Sequence, residues 1–222
     1  MNKTRYLLSM LAFVFILAAC THEKPVQNIS IVPASLEIDA GVPLEFEITG
    51  EYDFLTFYSG LEGSNYDDYP DAKSKVIDIP EGESIFSTVY LDTNGIVLSK
   101  FIATTYGDWG TDLVQEVIEF EIKVNDRRTA LQSFKMRADN KSISGAIDNE
   151  KGEIVCTIPA GSDISSSVTS VSTLAANAQV FLDGKLYVDR SKLDYTKDTK
   201  VFTIMAVDGV TKQNFTVIII EE

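Results

Sequence analysis

Between Leu44 and Thr49 the chain alternates residue by residue, with Leu44, Phe46 and Ile48 on one parity and Glu45, Glu47 and Thr49 on the other. A repeat of two is that of a half-buried β-strand, whose successive side chains point to opposite faces of a sheet. A helix repeats every 3.6 residues and could not bury this set on one side. The pattern returns in Ile118, Phe120, Ile122 and Val124 against Glu119, Glu121 and Lys123, and in Phe86, Thr88 and Tyr90 against Ile85, Ser87 and Val89. Ile96 to Thr105 reads as a further strand, and from Ile29 onward long helical periods are missing. This phase predicts that Phe46, Ile48, Phe120 and Ile122 are core.

Turn chemistry separates these strands: Ala40-Gly41, Pro80-Glu81-Gly82, Asn94-Gly95 and Gly107-Asp108-Trp109-Gly110. Asn94-Gly95 predicts a two-residue hairpin, since both residues tolerate positive φ. The polar run Asn125-Asp126-Arg127-Arg128 falls where the first set of strands ends and reads as a domain boundary. Beyond it the second half predicts strands at Gly152–Ile158, Ser167–Val171, Gln179–Leu182, Lys200–Val207 and Asn214–Ile220, with Asp208-Gly209 as the last hairpin turn. In the final strand Phe215, Val217 and Ile219 alternate with Thr216, Ile218 and Ile220, so both faces are apolar towards its end. That pattern predicts a central strand covered on both sides, with Val217 and Ile219 in the core. Short strands between such turns predict an all-β fold of two tandem β-sandwiches of about 100 residues each.

The first residues follow another logic. Lys3 and Arg5 precede an apolar run from Tyr6 to Leu17, broken only by Ser9, and the small pair Ala18-Ala19 leads to Cys20. The run is shorter than the roughly 20 residues that span a bilayer, so it reads as a removable secretory signal. Leu17-Ala18-Ala19-Cys20 resembles the lipobox of bacterial lipoproteins. That resemblance implies diacylglycerol on the Cys20 thiol, cleavage before it and acylation of the new amine, with the alternative of an ordinary signal peptide and a chance cysteine. The organisation expected is a signal at 1–19, a lipidated tether at 20–28, and sandwiches at 29–125 and 127–222. The expected address is the bacterial outer membrane, on its surface or periplasmic face. Loss of Lys3 and Arg5 with the signal takes the net charge from -14 to -16. A field of that sign repels nucleic acid and anionic headgroups, so the membrane link falls to the lipid.

Phe54-Leu55-Thr56-Phe57-Tyr58-Ser59-Gly60, Tyr90, Asn94-Gly95-Ile96 and Ile118-Glu119-Phe120-Glu121-Ile122 together resemble the PKD-like, immunoglobulin-type domain of Bacteroidetes surface lipoproteins. Leu131-Gln132-Ser133-Phe134, Gly145-Ala146-Ile147-Asp148, Ile158-Pro159-Ala160-Gly161-Ser162-Asp163 and Ala206-Val207-Asp208-Gly209 resemble the bacterial Ig-like, cadherin-like modules of the same lipoproteins. The resemblance implies extracytoplasmic display and, in many members, glycan capture; the fold alone does not decide function.

Catalytic constellations are thin. The single histidine, His22, lies in the tether, which leaves a nucleophile dyad without its base and a zinc site without imidazole ligands. Carboxylate pairs are inevitable among 33 acidic residues, and no motif selects one. The expectation is therefore a protein that is not an enzyme and needs no cofactor. Cys156 shares a parity with Ile154 and Ile158 and reads as a small core residue, with a reactive thiol as the alternative.

Two loops carry the ligand candidates. In Ser64–Asp71 the carboxylates Asp67, Asp68 and Asp71 are a Ca²⁺ candidate and Tyr66 and Tyr69 are candidates for stacking on sugar rings. The alternative is a solvated acidic loop with one tyrosine folded onto the sandwich. Trp109, the only tryptophan, sits beside Asp108 and close to Tyr106 on a glycine-flanked loop. It is either a platform for the apolar face of a sugar, with Asp108 accepting hydroxyl hydrogen bonds, or a cap on the sandwich core. Tyr58 completes the candidate set, and because Phe57 and Tyr58 point to opposite faces, at most one of them can be exposed. The function expected is non-catalytic glycan binding at the cell envelope; the alternative is an assembly or adhesion component that docks an outer-membrane protein.

Overall fold

The computed structural model describes residues 28–66, 77–107, 112–139 and 141–222. The first strands are β1 (Asn28–Pro33), β2 (Glu37–Asp39), β3 (Pro43–Glu51), β4 (Phe54–Tyr58), β5 (Ile77–Ile79), β6 (Ile85–Val89), β7 (Gly95–Tyr106) and β8 (Leu113–Asn125). They form a three-stranded sheet, β1-β3-β6, and a five-stranded sheet, β2-β8-β7-β4-β5. The alternation in Pro43–Glu51 does what its period requires, burying Leu44, Phe46 and Ile48 and leaving the glutamates outside. Phe46 of one sheet meets Phe57 and Phe101 of the other, with ring centroids 5.9 and 4.9 Å apart, and Phe86 lies 4.8 Å from Phe57. The two layers thus share a core of phenylalanine rings in tilted and edge-to-face contact.

The second set comprises β9 (Leu131–Ala138), β10 (Lys141–Ser144), β11 (Ala146–Asp148), β12 (Glu153–Ile158), β13 (Ser167–Val168), β14 (Ser170–Thr173), β15 (Gln179–Leu182), β16 (Lys185–Leu186), β17 (Lys192–Leu193), β18 (Val201–Met205) and β19 (Lys212–Glu221). A three-stranded sheet, β10-β9-β14, faces a six-stranded one, β11-β12-β19-β18-β15-β16, across a core of Phe134, Met136, Ile154, Cys156, Phe202, Phe215 and Val217. Gly145 is needed where the chain passes this core: a Cβ there would lie 2.6 Å from Ile154 Cγ2 and 2.9 Å from Phe134 Cδ1. The fold is all-β and of the two-layer, immunoglobulin-like sandwich class, as the alternation predicts. Both sets also lay an early strand parallel to their last one, Glu37 opposite Lys123 and Glu153 opposite Thr216. A parallel neighbour cannot be reached by a tight hairpin, and in each set part of the intervening chain, β3 and β6 or β14, lies in the other layer.

By packing, the described residues separate into two compact units, one drawn from 28–34, 45–86 and 98–121 and the other from 35–44, 87–97 and 122–222. Within the second unit, Asp126 and Arg128, between β8 and β9, form an internal tie. Asp126 is fully buried, and Arg128 grips both its carboxylate oxygens, Nε to Oδ1 at 2.9 Å and Nη2 to Oδ2 at 2.8 Å. The same Nη2 donates to Asp92 Oδ1 at 2.8 Å, and the Asp126 amide donates to Asn94 Oδ1.

Several other expectations change. Asn94-Gly95 does not form a hairpin, because β6 and β7 belong to different sheets and Asn94 instead serves Asp126. Phe120 and Ile219 are only half-buried: the ring of Phe120 meets Phe46 at 5.6 Å and Ile219 packs against the second core, each at the edge of its cluster and not inside it. Strand β19 is central in its sheet, yet Ile220 near its end is 43% exposed and Thr216 and Ile218 are half-buried, so its outer face is covered only in part. The strand expected over Ser167–Val171 breaks at Thr169, whose hydroxyl meets the Tyr195 hydroxyl at 2.8 Å in the interior. Asp208-Gly209 does turn between two paired antiparallel strands, with Asp208 Oδ1 accepting the amides of Val210 and Thr211 at 2.9 Å each.

Candidate functional site

Near the end of β3 lies Gly50, whose φ is +106° and whose missing Cβ would stand 1.7 Å from Asn28 O, so no side chain fits. The chain then leads through Tyr52 and Asp53 into β4. The Asp53 amide donates to Thr104 O at 3.0 Å, and its Oδ2 accepts the Tyr106 amide at 2.6 Å, which fixes the Gly50–Asp53 turn against the end of β7. The Tyr52 hydroxyl donates to Pro80 O at 3.0 Å and ties in the Pro80–Glu83 turn. Burial, followed by the carboxylates of Glu83 and Glu81, raises the Tyr52 phenol above its usual value.

These turns enclose a groove of about 370 Å³ lined by Glu51, Asp53, Glu81, Thr105 and Tyr106. The hydroxyl of Thr105 is buried and has no hydrogen-bond partner among the described residues. At the rim, Phe54 and Tyr106 are 60% and 46% exposed and meet edge to face, 5.9 Å apart at 88°. Chemically this is a concave surface with aromatic rings at its edge, three carboxylates as acceptors, and no cation in its lining. It suits a neutral polyhydroxylated molecule and repels an anionic one.

The other candidates separate. Tyr58 is buried at 8% exposure, so it is withdrawn from any exposed platform; Phe57 on the opposite parity is buried too, and neither face of the strand is open there. Tyr66 stacks edge to face on Tyr58 at 5.4 Å, and Lys100 Nζ stands 5.7 Å from its ring centroid. Lys100 in turn pairs with Glu119 at 3.0 Å, so Tyr66 serves to cover a buried ammonium. Cys20, Asp67, Asp68, Tyr69, Asp71, Asp108 and Trp109 lie outside the described residues. The Gly107 amide donates to Asp112 O at 2.8 Å. Among the described residues, no group of three histidine, cysteine or carboxylate side chains is placed to hold a metal ion. Cys156 is fully buried, and that burial pushes its thiol up to about 11.

Sequence reasoning brought Tyr106 to this site but missed Phe54, Thr105 and Glu81. Phe54 was detectable: it shares a parity with the polar Thr56, opposite the buried Leu55 and Phe57. The turn residues were not, since only the fold brings positions 51, 81 and 105 together.

Residues 131–219 match a family described as Domain of unknown function (DUF8499). No curated protein matches the chain. Among solved structures, the crystal structure of murine CEACAM1b superposes over 87% of this chain and 100% of that chain, at 10% identity and a TM-score of 0.27. The fold assignment above rests on strand pairing and layer packing.

Proposed function

We propose that this protein is a non-catalytic binding lipoprotein of the bacterial cell envelope, anchored through lipid on Cys20, whose first sandwich captures a neutral glycan. The observation that carries this reading is the groove at Tyr106: exposed rings at the rim, carboxylate acceptors and an unsatisfied Thr105 hydroxyl inside. An aromatic face packs on the apolar face of a sugar while carboxylates accept its hydroxyl protons. Asp108 and Trp109, two and three residues beyond Tyr106 in sequence, would add an acceptor and a ring. The net charge of -14 weighs against a nucleic-acid partner, and among the described residues no helix is long and apolar enough to cross a membrane.

The test is a screen of pooled neutral oligosaccharides against the full chain. Tyr106→Ala and Trp109→Ala should each weaken binding by roughly 1–3 kcal/mol, the range for planar stacking on aromatic side chains. Binding left intact in both variants would refute the groove. Anchoring is tested separately: Cys20→Ser should abolish acyl labelling, because serine lacks the nucleophilic sulfur.

A second reading, docking of an outer-membrane protein, is favoured by one surface. Val32 and Ile85, 56% and 58% exposed, line a hollow of about 350 Å³ together with Pro33, Ala34 and the carboxylates of Glu45 and Glu47. Co-purification with an outer-membrane protein, lost in Val32→Glu, together with no glycan binding, would favour that role.

A further inference from the structure

The outer face of the β10-β9-β14 sheet runs against the character of the chain. On β9, Ser133, Lys135 and Arg137 share the parity opposite to the buried Phe134, Met136 and Ala138. Their sheet partners are serines: Ser144 and Ser170 flank Lys135, Ser142 faces Arg137, and Ser172 faces Ser133 with the two hydroxyls 2.6 Å apart. Serine has little intrinsic preference for strands, so five of them on one sheet face are not explained by β-forming tendency.

A third cation joins them. The turn Val188–Ser191 is closed by the Ser191 amide on Val188 O at 3.2 Å, and Asp189 Oδ1 accepts the Val171 amide, which fastens the turn beside β14. Arg190 occupies the left-handed region at φ +65°, a conformation that costs a non-glycine residue energy. Lys135, Arg137, Arg190, Ser142 and Ser170 line one hollow of about 490 Å³. No carboxylate lines it, and none of the three cations has an ion-pair partner among the described residues. In a chain with 33 acidic and 19 basic residues, three unneutralised cations around one hollow mark a place where negative charge is to be supplied from outside.

We propose that this face binds an acidic saccharide, a sugar chain carrying carboxylate or sulfate groups, distinct from the neutral sugar of the groove at Tyr106. The cations take the anionic groups, with the guanidinium forks suited to bidentate contact, while the serines exchange hydrogen bonds with the hydroxyls between them. The lining holds no aromatic ring on which a base could stack, which disfavours a nucleic acid, and its serines offer hydroxyl partners that suit a saccharide. The site does not depend on the groove, and the two are tested with different probes.

Calorimetry of the full chain with polygalacturonate, dextran sulfate, neutral dextran and inorganic polyphosphate tests the assignment. Polygalacturonate or dextran sulfate should bind, more weakly as salt rises from about 50 to 300 mM, and neutral dextran should not bind here. The exposed double variant Lys135→Gln, Arg137→Gln should lose about tenfold in affinity or more, and Arg190→Gln somewhat less. Lys212→Gln, an exposed cation elsewhere in the same unit, is the charge control and should change little. Circular dichroism and urea midpoints of the variants confirm that each is folded. Absence of binding by both charged polysaccharides, equal loss in Lys212→Gln, or polyphosphate binding as tight as the saccharides would each overturn the proposal. Failure of neutral oligosaccharides to bind would count against the groove alone.

Discussion

The interiors of the two sandwiches are made of different materials. In the first, Phe46, Phe57, Phe86 and Phe101 gather ring against ring, and Phe101 is 4.7 Å from Phe57 and 6.1 Å from the half-buried Phe120. In the second, aliphatic packing around Phe134 and Phe202 is threaded with polar ties. The Tyr187 hydroxyl donates to Thr169 O at 2.5 Å, Tyr195 meets the Thr169 hydroxyl, and Ser167 Oγ donates to Arg137 O. Burial raises the phenol of Tyr187 to about 12 and lifts that of Tyr195 as well, so both stay protonated and able to donate. Rings contribute area without regard to pH, whereas hydrogen-bonded ties contribute geometry and, where one partner is ionised, make stability depend on pH.

The contrast is sharpest if one member of each kind is removed. Phe101→Ala, at the centre of the ring cluster, should cost about 3–5 kcal/mol in urea unfolding through the cavity it leaves. Phe120→Ala, half-exposed, should cost only about 1–2 kcal/mol; equal midpoints for the two would break the ring-core account. Asp126→Ala should cost about 3 kcal/mol near neutral pH, because Arg128 would lose its bidentate partner inside the fold. The hydrogen bonds from Arg128 hold the Asp126 carboxyl below its ordinary value. A depressed carboxyl stabilises above its unfolded value and loses that contribution as pH falls through the folded one. The gap between wild type and Asp126→Ala should therefore be full at neutral pH and close between about pH 5 and pH 2. A gap independent of pH would place the effect in packing instead.

Gly145→Ala comes next, at about 1–3 kcal/mol, since a methyl group there overpacks Ile154 and Phe134. Tyr195→Phe, which removes one buried hydroxyl contact and leaves the ring, should cost about 1 kcal/mol. A cost near that of Phe101→Ala would show that the polar ties rival the rings. Tyr106→Ala should stay within about 0.5 kcal/mol, as an exposed ring at a groove rim carries little of the fold.

What the sequence allowed to be read follows the range of the physics involved. Leu44–Ile48 and Phe215–Val217 declared their buried parity because alternation is a local property of the strand. Asn94-Gly95 misled because turn preference is local, while the choice of sheet for the next strand is not; the asparagine is held by Asp126, 32 residues away. The tie within Asp126-Arg127-Arg128 was not legible, because a charged run is normally solvated and nothing in its composition shows that Arg128 will turn back on Asp126. The groove was half legible: Tyr106 and Phe54 could be found from exposure and parity, but its acceptors come from separate turns. The cationic serine face was latent in Ser133-Phe134-Lys135-Met136-Arg137, and became a surface only when β10 and β14 set their serines opposite.

Cys156 is sealed among Ile154, Phe134 and Phe202, with its thiol pushed to about 11. A thiol-specific reagent can reach it only when the second unit opens, so the rate of modification serves as a clock for that opening under native conditions. The folded protein is also blank towards such reagents once Cys20 is acylated or replaced. A cysteine installed beside the groove at Tyr106 or beside Arg137 would then carry a fluorophore alone, and each surface could report its own occupancy without background.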